Sequence, residues 1–91
     1  TVAEVCLFQA ADKYTLVRTT EREWVIRTPL KELEAELDPE HFWRVHRNTI
    51  VRVGAIDAAR RDMMGRVNLV MKGMREPVAV SRAYAHRFRQ R

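Results

Sequence analysis

Short apolar runs separated by polar turns follow one another along most of this chain, and they constrain the fold more than any other feature. The runs are rich in β-branched and aromatic residues, which fit the pleated surface of a sheet. They predict short strands over residues 3–8, 14–19, 23–28, 42–45, 49–53, 55–61, 66–71 and 78–80. This succession is typical of an antiparallel meander in a mostly β domain.

Two segments have helical features instead. Between residues 28 and 39 the leucines recur at helical spacing, Thr28 is a suitable N-cap, and Pro29 suits the first helical position. Asp38 and Pro39 should end this helix after about two or three turns, because proline cannot continue it. Near the C-terminus, Ser81 is a suitable N-cap for a second short helix.

Length and cysteine content limit the class of protein. The 91 residues fit one domain whose core needs no metal or disulfide staple. Cys6 is the only cysteine, so no disulfide forms within the chain and a reducing cytoplasm is the expected compartment. No apolar run approaches the roughly 20 residues that cross a bilayer, so no membrane role is expected. Because the chain begins at Thr1 rather than Met, we expect a piece of a longer protein.

Charge is distributed unevenly along the chain. Residues 1–43 carry five Lys and Arg against nine Asp and Glu, a net charge of −4, whereas residues 44–91 carry twelve against three, a net charge of +9. A basic module of this kind indicates a polyanionic partner, most often nucleic acid, although a solvated basic surface without a specific partner is the simpler alternative.

No catalytic or metal site is expected. The three histidines are far apart in sequence without metal-ligand spacing, the glycines are isolated, and Cys6 lies in an apolar strand pattern typical of a buried thiol. The one enzymatic alternative, a basic nuclease that uses His46 with an Arg or Lys, is supported by composition alone. The sequence therefore indicates a binding domain without a cofactor.

The stretch "FWRVHRNTIVRVGAI", residues 42–56, places polar side chains between two apolar segments. The flanking apolar residues can anchor a short loop in the core and leave His46, Arg47 and Asn48 exposed at its tip. The planar fork of Arg can pair with a guanine edge or a phosphate, and Asn can pair with adenine. The pattern favours groove reading, with a solvated strand turn as the alternative.

Together with "PVAVSRAYAHRF" at residues 77–88, this stretch resembles the LytTR DNA-binding domain of bacterial response regulators. The resemblance extends over essentially the whole chain, because "FQAADKYTLVRT" and "TPLKELEAEL" resemble the family's early strand-loop-strand and short helix. It implies an elongated, mostly β fold of about ten short antiparallel strands with one or two short helices. Loops rather than a recognition helix would enter successive major grooves of duplex DNA.

The resemblance also implies roles for particular residues. Those expected to read bases are Lys13, Arg47, Asn48 and Arg82. Those expected to contact the DNA backbone or to position the loops are Tyr14, Thr15, His46 and Ser81. The chain departs from the family pattern at two positions: Asn48 stands where Ser is usual, and Arg52 stands where Asn is common.

By this resemblance, residues 1–91 form a single domain at the C-terminal end of a two-component transcription regulator. An N-terminal receiver domain would precede it, and a dimer would bind repeated half-sites in the DNA. An RNA-binding module that uses the basic half of the chain is the main alternative, and an interaction domain without nucleic acid is a third. Single-strand RNA readers stack bases on exposed aromatic side chains, which are scarce near the basic loops.

Overall fold

The computed structural model describes residues 2–88 and contains eight strands within them, arranged in two antiparallel sheets. The strands are β1 Val5–Ala10, β2 Thr15–Thr19, β3 Glu23–Ile26, β4 Phe42–His46, β5 Thr49–Arg52, β6 Ile56–Arg61, β7 Val67–Met71 and β8 Val78–Val80. The helices are α1 Leu30–Glu36 and three 3-10 segments, Val2–Glu4, Val53–Ala55 and Arg82–Phe88. The mostly β fold with short helices is confirmed, with eight described strands where about ten were expected.

The larger sheet has the strand order β3-β2-β1-β5-β4, and the smaller has the order β6-β7-β8. Helix α1 packs on one face of the larger sheet and the smaller sheet packs on the other, so two apolar clusters form. A bulge between Val5 and Leu7 in β1 breaks the alternation of faces. Consequently Val5 and Phe8 lie in the α1 cluster, whereas Cys6 and Leu7 lie in the cluster between the sheets.

Helix α1 ends where the sequence predicts but begins differently. Its N-cap is Pro29 rather than Thr28, so that prediction was wrong. The Pro29 backbone is extended (φ −65°, ψ 153°), and its carbonyl accepts hydrogen bonds from the amides of Glu32 and Leu33. The carbonyl of Thr28 instead accepts a hydrogen bond of 2.7 Å from the buried Thr15 hydroxyl. A contact with a distant strand therefore fixes the chain just before the helix.

The central position of β1 determines where the connecting turns lie. β1 pairs antiparallel with both β2 and β5, so the β1–β2 turn and the β4–β5 turn lie at the same end of the larger sheet. The amide of Ala10 donates a hydrogen bond of 2.7 Å to the carbonyl of Asn48, which joins the two turns directly. We call this end of the sheet, residues 11–14 and 47–48, the reading end, because the sequence predicts base-reading residues there.

Candidate nucleic-acid interface

The β4–β5 connection is a two-residue turn formed by Arg47 and Asn48. His46 pairs with Thr49 at the ends of the two strands, and both turn residues are exposed. The amide of Asn48 donates a hydrogen bond of 3.2 Å to Nδ1 of His46. This contact orients the His46 ring toward the turn, and the short turn limits the backbone freedom of the two residues that the sequence predicts to read DNA.

A β-bulge lies directly before this turn. The register of β4 against β5 shifts between Arg44 and His46, which leaves Val45 outside the regular ladder although its side chain is fully buried. The carbonyl of Val45 accepts a hydrogen bond of 2.9 Å from the amide of Ser81. The bulge therefore connects the β4–β5 turn to the segment that carries Arg82.

The Arg44 side chain stabilises the β4–β5 turn, a role that the sequence analysis did not identify. Its Nε donates to the carbonyl of His46 at 3.0 Å, and its Nη2 donates to the carbonyl of Arg47 at 2.5 Å. Its Nη1 forms an ion pair of 2.7 Å with Glu34 of helix α1. The Arg44 side chain is only 17% exposed and its bond to His46 is partly buried, whereas its contacts with Arg47 and Glu34 lie at the surface. The available signal was an arginine within an otherwise apolar strand pattern.

The β1–β2 turn spans residues 11–14 and is closed by a hydrogen bond of 2.8 Å from the amide of Ala11 to the carbonyl of Tyr14. Lys13 and Tyr14 are exposed there. Thr15 follows at the start of β2 and is buried, and its hydroxyl donates a hydrogen bond to the carbonyl of Thr28. In this structure Thr15 supports the turn from inside the fold, whereas the two residues before it face solvent.

The third predicted element begins after β8. The carbonyl of Ser81 accepts a hydrogen bond of 3.0 Å from the amide of Tyr84, and Arg82 is the exposed first residue of the 3-10 helix Arg82–Phe88. The helix is fixed at its other end, where the Phe88 ring packs against Trp43 at a centroid distance of 5.5 Å. Arg82 thus projects from a segment that is anchored on both sides.

Arg52, which departs from the family pattern, lies at the opposite end of β5. Its Nε donates a hydrogen bond of 2.7 Å to the carbonyl of Val5, and its side chain is partly buried. The residue connects β5 to the beginning of β1. In this chain the position therefore has a structural role away from the reading end.

The predicted residues thus come from three distant segments and are connected by the hydrogen bonds described above. At the β1–β2 and β4–β5 turns, Lys13, Tyr14, Arg47 and Asn48 are exposed, while Thr15 and His46 support them. Ser81 is bonded to the Val45 bulge. Among residues 2–88, no group of three or more His, Cys, Asp or Glu side chains is arranged to hold a metal ion. No helix within that range is long and apolar enough to cross a membrane.

The family model for the LytTr DNA-binding domain matches residues 1–91. The chain belongs to this family. A solved LytTr DNA-binding domain from Bacillus cereus superimposes with a TM-score of 0.84 at 35% identity, covering 94% of this chain and 78% of that one. The fold resemblance inferred from the sequence is therefore confirmed, and the family is one of DNA-binding domains rather than enzymes.

Three curated relatives are similar in sequence. An uncharacterized response regulatory protein of Vibrio cholerae is 39% identical over 97% of this chain and 34% of its own length. The positive alginate biosynthesis regulatory protein of Pseudomonas aeruginosa is 38% identical over 78% of this chain and 28% of its own length. The CO-responsive transcriptional regulator RcoM of Rhodospirillum rubrum is 33% identical over 96% of this chain and 37% of its own length. The chain spans about a third of the length of these relatives.

Proposed function

We propose that this LytTr domain binds specific duplex DNA through its reading end, as the effector part of a bacterial transcription regulator. Lys13, Arg47, Asn48 and Arg82 read bases, while Tyr14, Thr15, His46 and Ser81 contact the backbone or position the loops. The observation that carries the proposal is the coupling of three separate segments by the Ala10–Asn48 and Ser81–Val45 hydrogen bonds. Preformed loops reduce the ordering that binding requires, which favours selective contacts.

Arg47 and Arg82 have distinct tasks in this proposal. They lie in different elements and enter successive major grooves, so each governs a different part of the half-site. A bidentate Arg–guanine contact provides roughly 1 to 3 kcal/mol of discrimination, whereas a phosphate contact provides almost none. Lysine retains the charge but loses the planar fork, so Arg→Lys substitutions separate base reading from attraction.

The test is binding of the wild-type domain to a panel of single-base variants of a duplex selected from a random pool. Arg47→Lys should relax preference at one cluster of base pairs and Arg82→Lys at another, about 10 bp away. If both substitutions weaken every duplex equally, the two arginines contact phosphates only. Failure to select any duplex from the pool would refute DNA reading by this domain.

Single-stranded RNA is the second candidate partner, and one observation favours it. Tyr14 is 49% exposed beside Lys13, so the reading end presents one aromatic surface on which a base could stack. Competition between the selected duplex and single-stranded RNA of the same sequence separates the two. Duplex DNA should compete at much lower concentration, and the reverse order would establish the RNA function.

The longer regulator is also part of the proposal. The domain forms the C-terminal part, a phosphoacceptor receiver domain precedes it, and phosphorylation promotes a dimer on repeated half-sites. The names of the Vibrio and Pseudomonas relatives and the small fraction of their lengths that the chain matches support this arrangement. Selection with the full-length protein should recover two copies of a short motif in one duplex, and recovery of single motifs would argue against the dimer.

A further inference from the structure

The β6–β7 turn, residues 62–66, exposes two methionines that the reading end does not include. Met63 is fully exposed and Met64 is 77% exposed, which makes them the most exposed large apolar side chains among the described residues. Neighbouring apolar side chains on a protein surface commonly mark a contact with a partner.

The turn is held in one conformation. Oδ1 of Asp62 accepts hydrogen bonds of 2.9 Å from the amides of both Met64 and Arg66. The Asp62 carbonyl accepts from the Gly65 amide at 3.0 Å, and Gly65 adopts a positive φ of 83° that glycine tolerates. The two methionines are therefore presented on a fixed turn, so ordering them on a partner requires little further change of the backbone.

The surroundings of the methionines are basic. Arg60, Arg61 and Arg66 are all exposed at the end of the β6–β7 hairpin. Arg66 is paired with Asp62 at 3.1 Å, and Nη1 of Arg61 donates to the carbonyl of Gly65 at 3.1 Å. Three cations against one carboxylate leave the turn positively charged. A partner that accepts both cations and apolar side chains fits this surface, and DNA offers phosphates together with the apolar faces of its sugars and bases.

The turn lies close to the third reading element. Val67, which follows the turn, pairs with Val80, which directly precedes Ser81 and Arg82. Strand spacings of about 5 Å and rises of about 3.3 Å per residue place Met64 within about 20 Å of Arg82, measured along the path through the Val67–Val80 pair. This separation is comparable to half a helical turn of DNA, roughly 17 Å, which divides a major groove from the adjacent minor groove.

We propose that the turn of residues 62–66 is an additional DNA contact, in which Met63 and Met64 enter the minor groove beside the major groove occupied by Arg82. The proposal rests on the DNA-binding function proposed above. Apolar side chains can insert at base steps in the minor groove, and arginines are attracted to its negative potential. Arg61 and Arg66 would then flank the inserted methionines.

The first test compares two double variants on the selected duplex. Met63→Ala with Met64→Ala should weaken binding about tenfold, because apolar contact is lost, while the slope of log affinity against log salt stays unchanged. Met63→Leu with Met64→Leu should restore most of the affinity, since the apolar volume returns. Val25→Ala, at another exposed apolar residue on the edge strand β3, is the matched control and should bind like the wild type.

The second test locates the turn on the duplex. Cys6 is the only cysteine and is buried, so Met64→Cys can be labelled selectively with an iron chelate that cleaves DNA through diffusing radicals. Minor-groove placement predicts cleavage on both strands with an offset toward their 3′ ends.

Wild-type affinity in the alanine double variant, or cleavage in the major groove, would overturn the proposal. If the alanine double variant lost binding to anionic vesicles but bound DNA like the wild type, the proposal would also be overturned and the turn would be assigned to a membrane surface. A wild-type domain that binds no duplex would instead refute the proposed function itself.

Discussion

Arg44→Ala should uncouple the β4–β5 turn from the body of the domain without removing a DNA contact. The substitution removes two hydrogen bonds to the carbonyls of His46 and Arg47 and the ion pair with Glu34. The bond to the His46 carbonyl is partly buried, and a hydrogen bond from a charged donor contributes about 1.5 to 3 kcal/mol when shielded. The bond to the Arg47 carbonyl is exposed and contributes less, and an exposed ion pair contributes about 0.2 to 1 kcal/mol. The Glu34 side chain is about half exposed, so its share should lie at the lower end.

Part of this stabilisation is local to the turn and does not contribute to global unfolding. We therefore expect the free energy of unfolding to fall by roughly 2 to 4 kcal/mol for Arg44→Ala, and by less than about 1 kcal/mol for Glu34→Ala. Urea denaturation followed by tryptophan fluorescence measures both values. Arg44→Lys retains the charge but not the fork, so it should lose most of the carbonyl contacts and resemble the alanine variant.

DNA binding provides the second measurement for Arg44. Under conditions where the variant remains folded, affinity for the selected duplex should fall about tenfold, because Arg47 and Asn48 must be ordered during binding. Hydrogen exchange at the amide of Asn48 should accelerate in the free variant. If Arg44→Ala leaves stability, exchange and binding unchanged, or if Glu34→Ala is equally damaging, the carbonyl contacts do not position the turn.

The other predictions concern packing, salt and pH. Ile50→Ala should lower the free energy of unfolding by roughly 2 to 5 kcal/mol because its side chain is fully buried, whereas Arg47→Ala should leave the thermal midpoint unchanged; equal losses would make the turn structural. Binding should weaken with a log-log salt slope of several units, and Arg60→Ala should reduce that slope by about one, so a flat salt response would argue against nucleic acid. Hydrogen bonding from the backbone amide of Arg66 is the main cause that lowers the pKa of Asp62 below its ordinary value of 3.8. The β6–β7 turn should therefore be fully ordered above pH 3.8 and should lose its order as the pH falls through the lowered pKa of Asp62 in the folded protein. Amide exchange in the turn measures this acid dependence, and Asp62→Asn should remove it.

The sequence alone identified most of the local structure. Short runs rich in β-branched and aromatic residues indicated the strands to within two residues at their ends, because such residues fit the pleated surface of a sheet. Leucine spacing indicated α1, and Asp38 with Pro39 indicated where it ends. Two stretches, residues 42–56 and 77–88, were enough to indicate the LytTr family, although Asn48 and Arg52 depart from its pattern.

The tertiary structure decided which polar residues support the site and which face solvent. Arg44 and Arg47 are three residues apart in one polar and apolar stretch, and the bulge at Val45 alters the alternation that would assign their directions. Thr15 resembles an exposed loop residue, yet it is buried and its hydroxyl donates to the carbonyl of Thr28, just before helix α1. The Thr15–Thr28 and Ser81–Val45 bonds join separate segments of the chain, so no local pattern encodes them. Local preference determined the strands and their turns, whereas long-range hydrogen bonds, from Ala10 to Asn48 and from Ser81 to Val45, connected three separate segments of the fold.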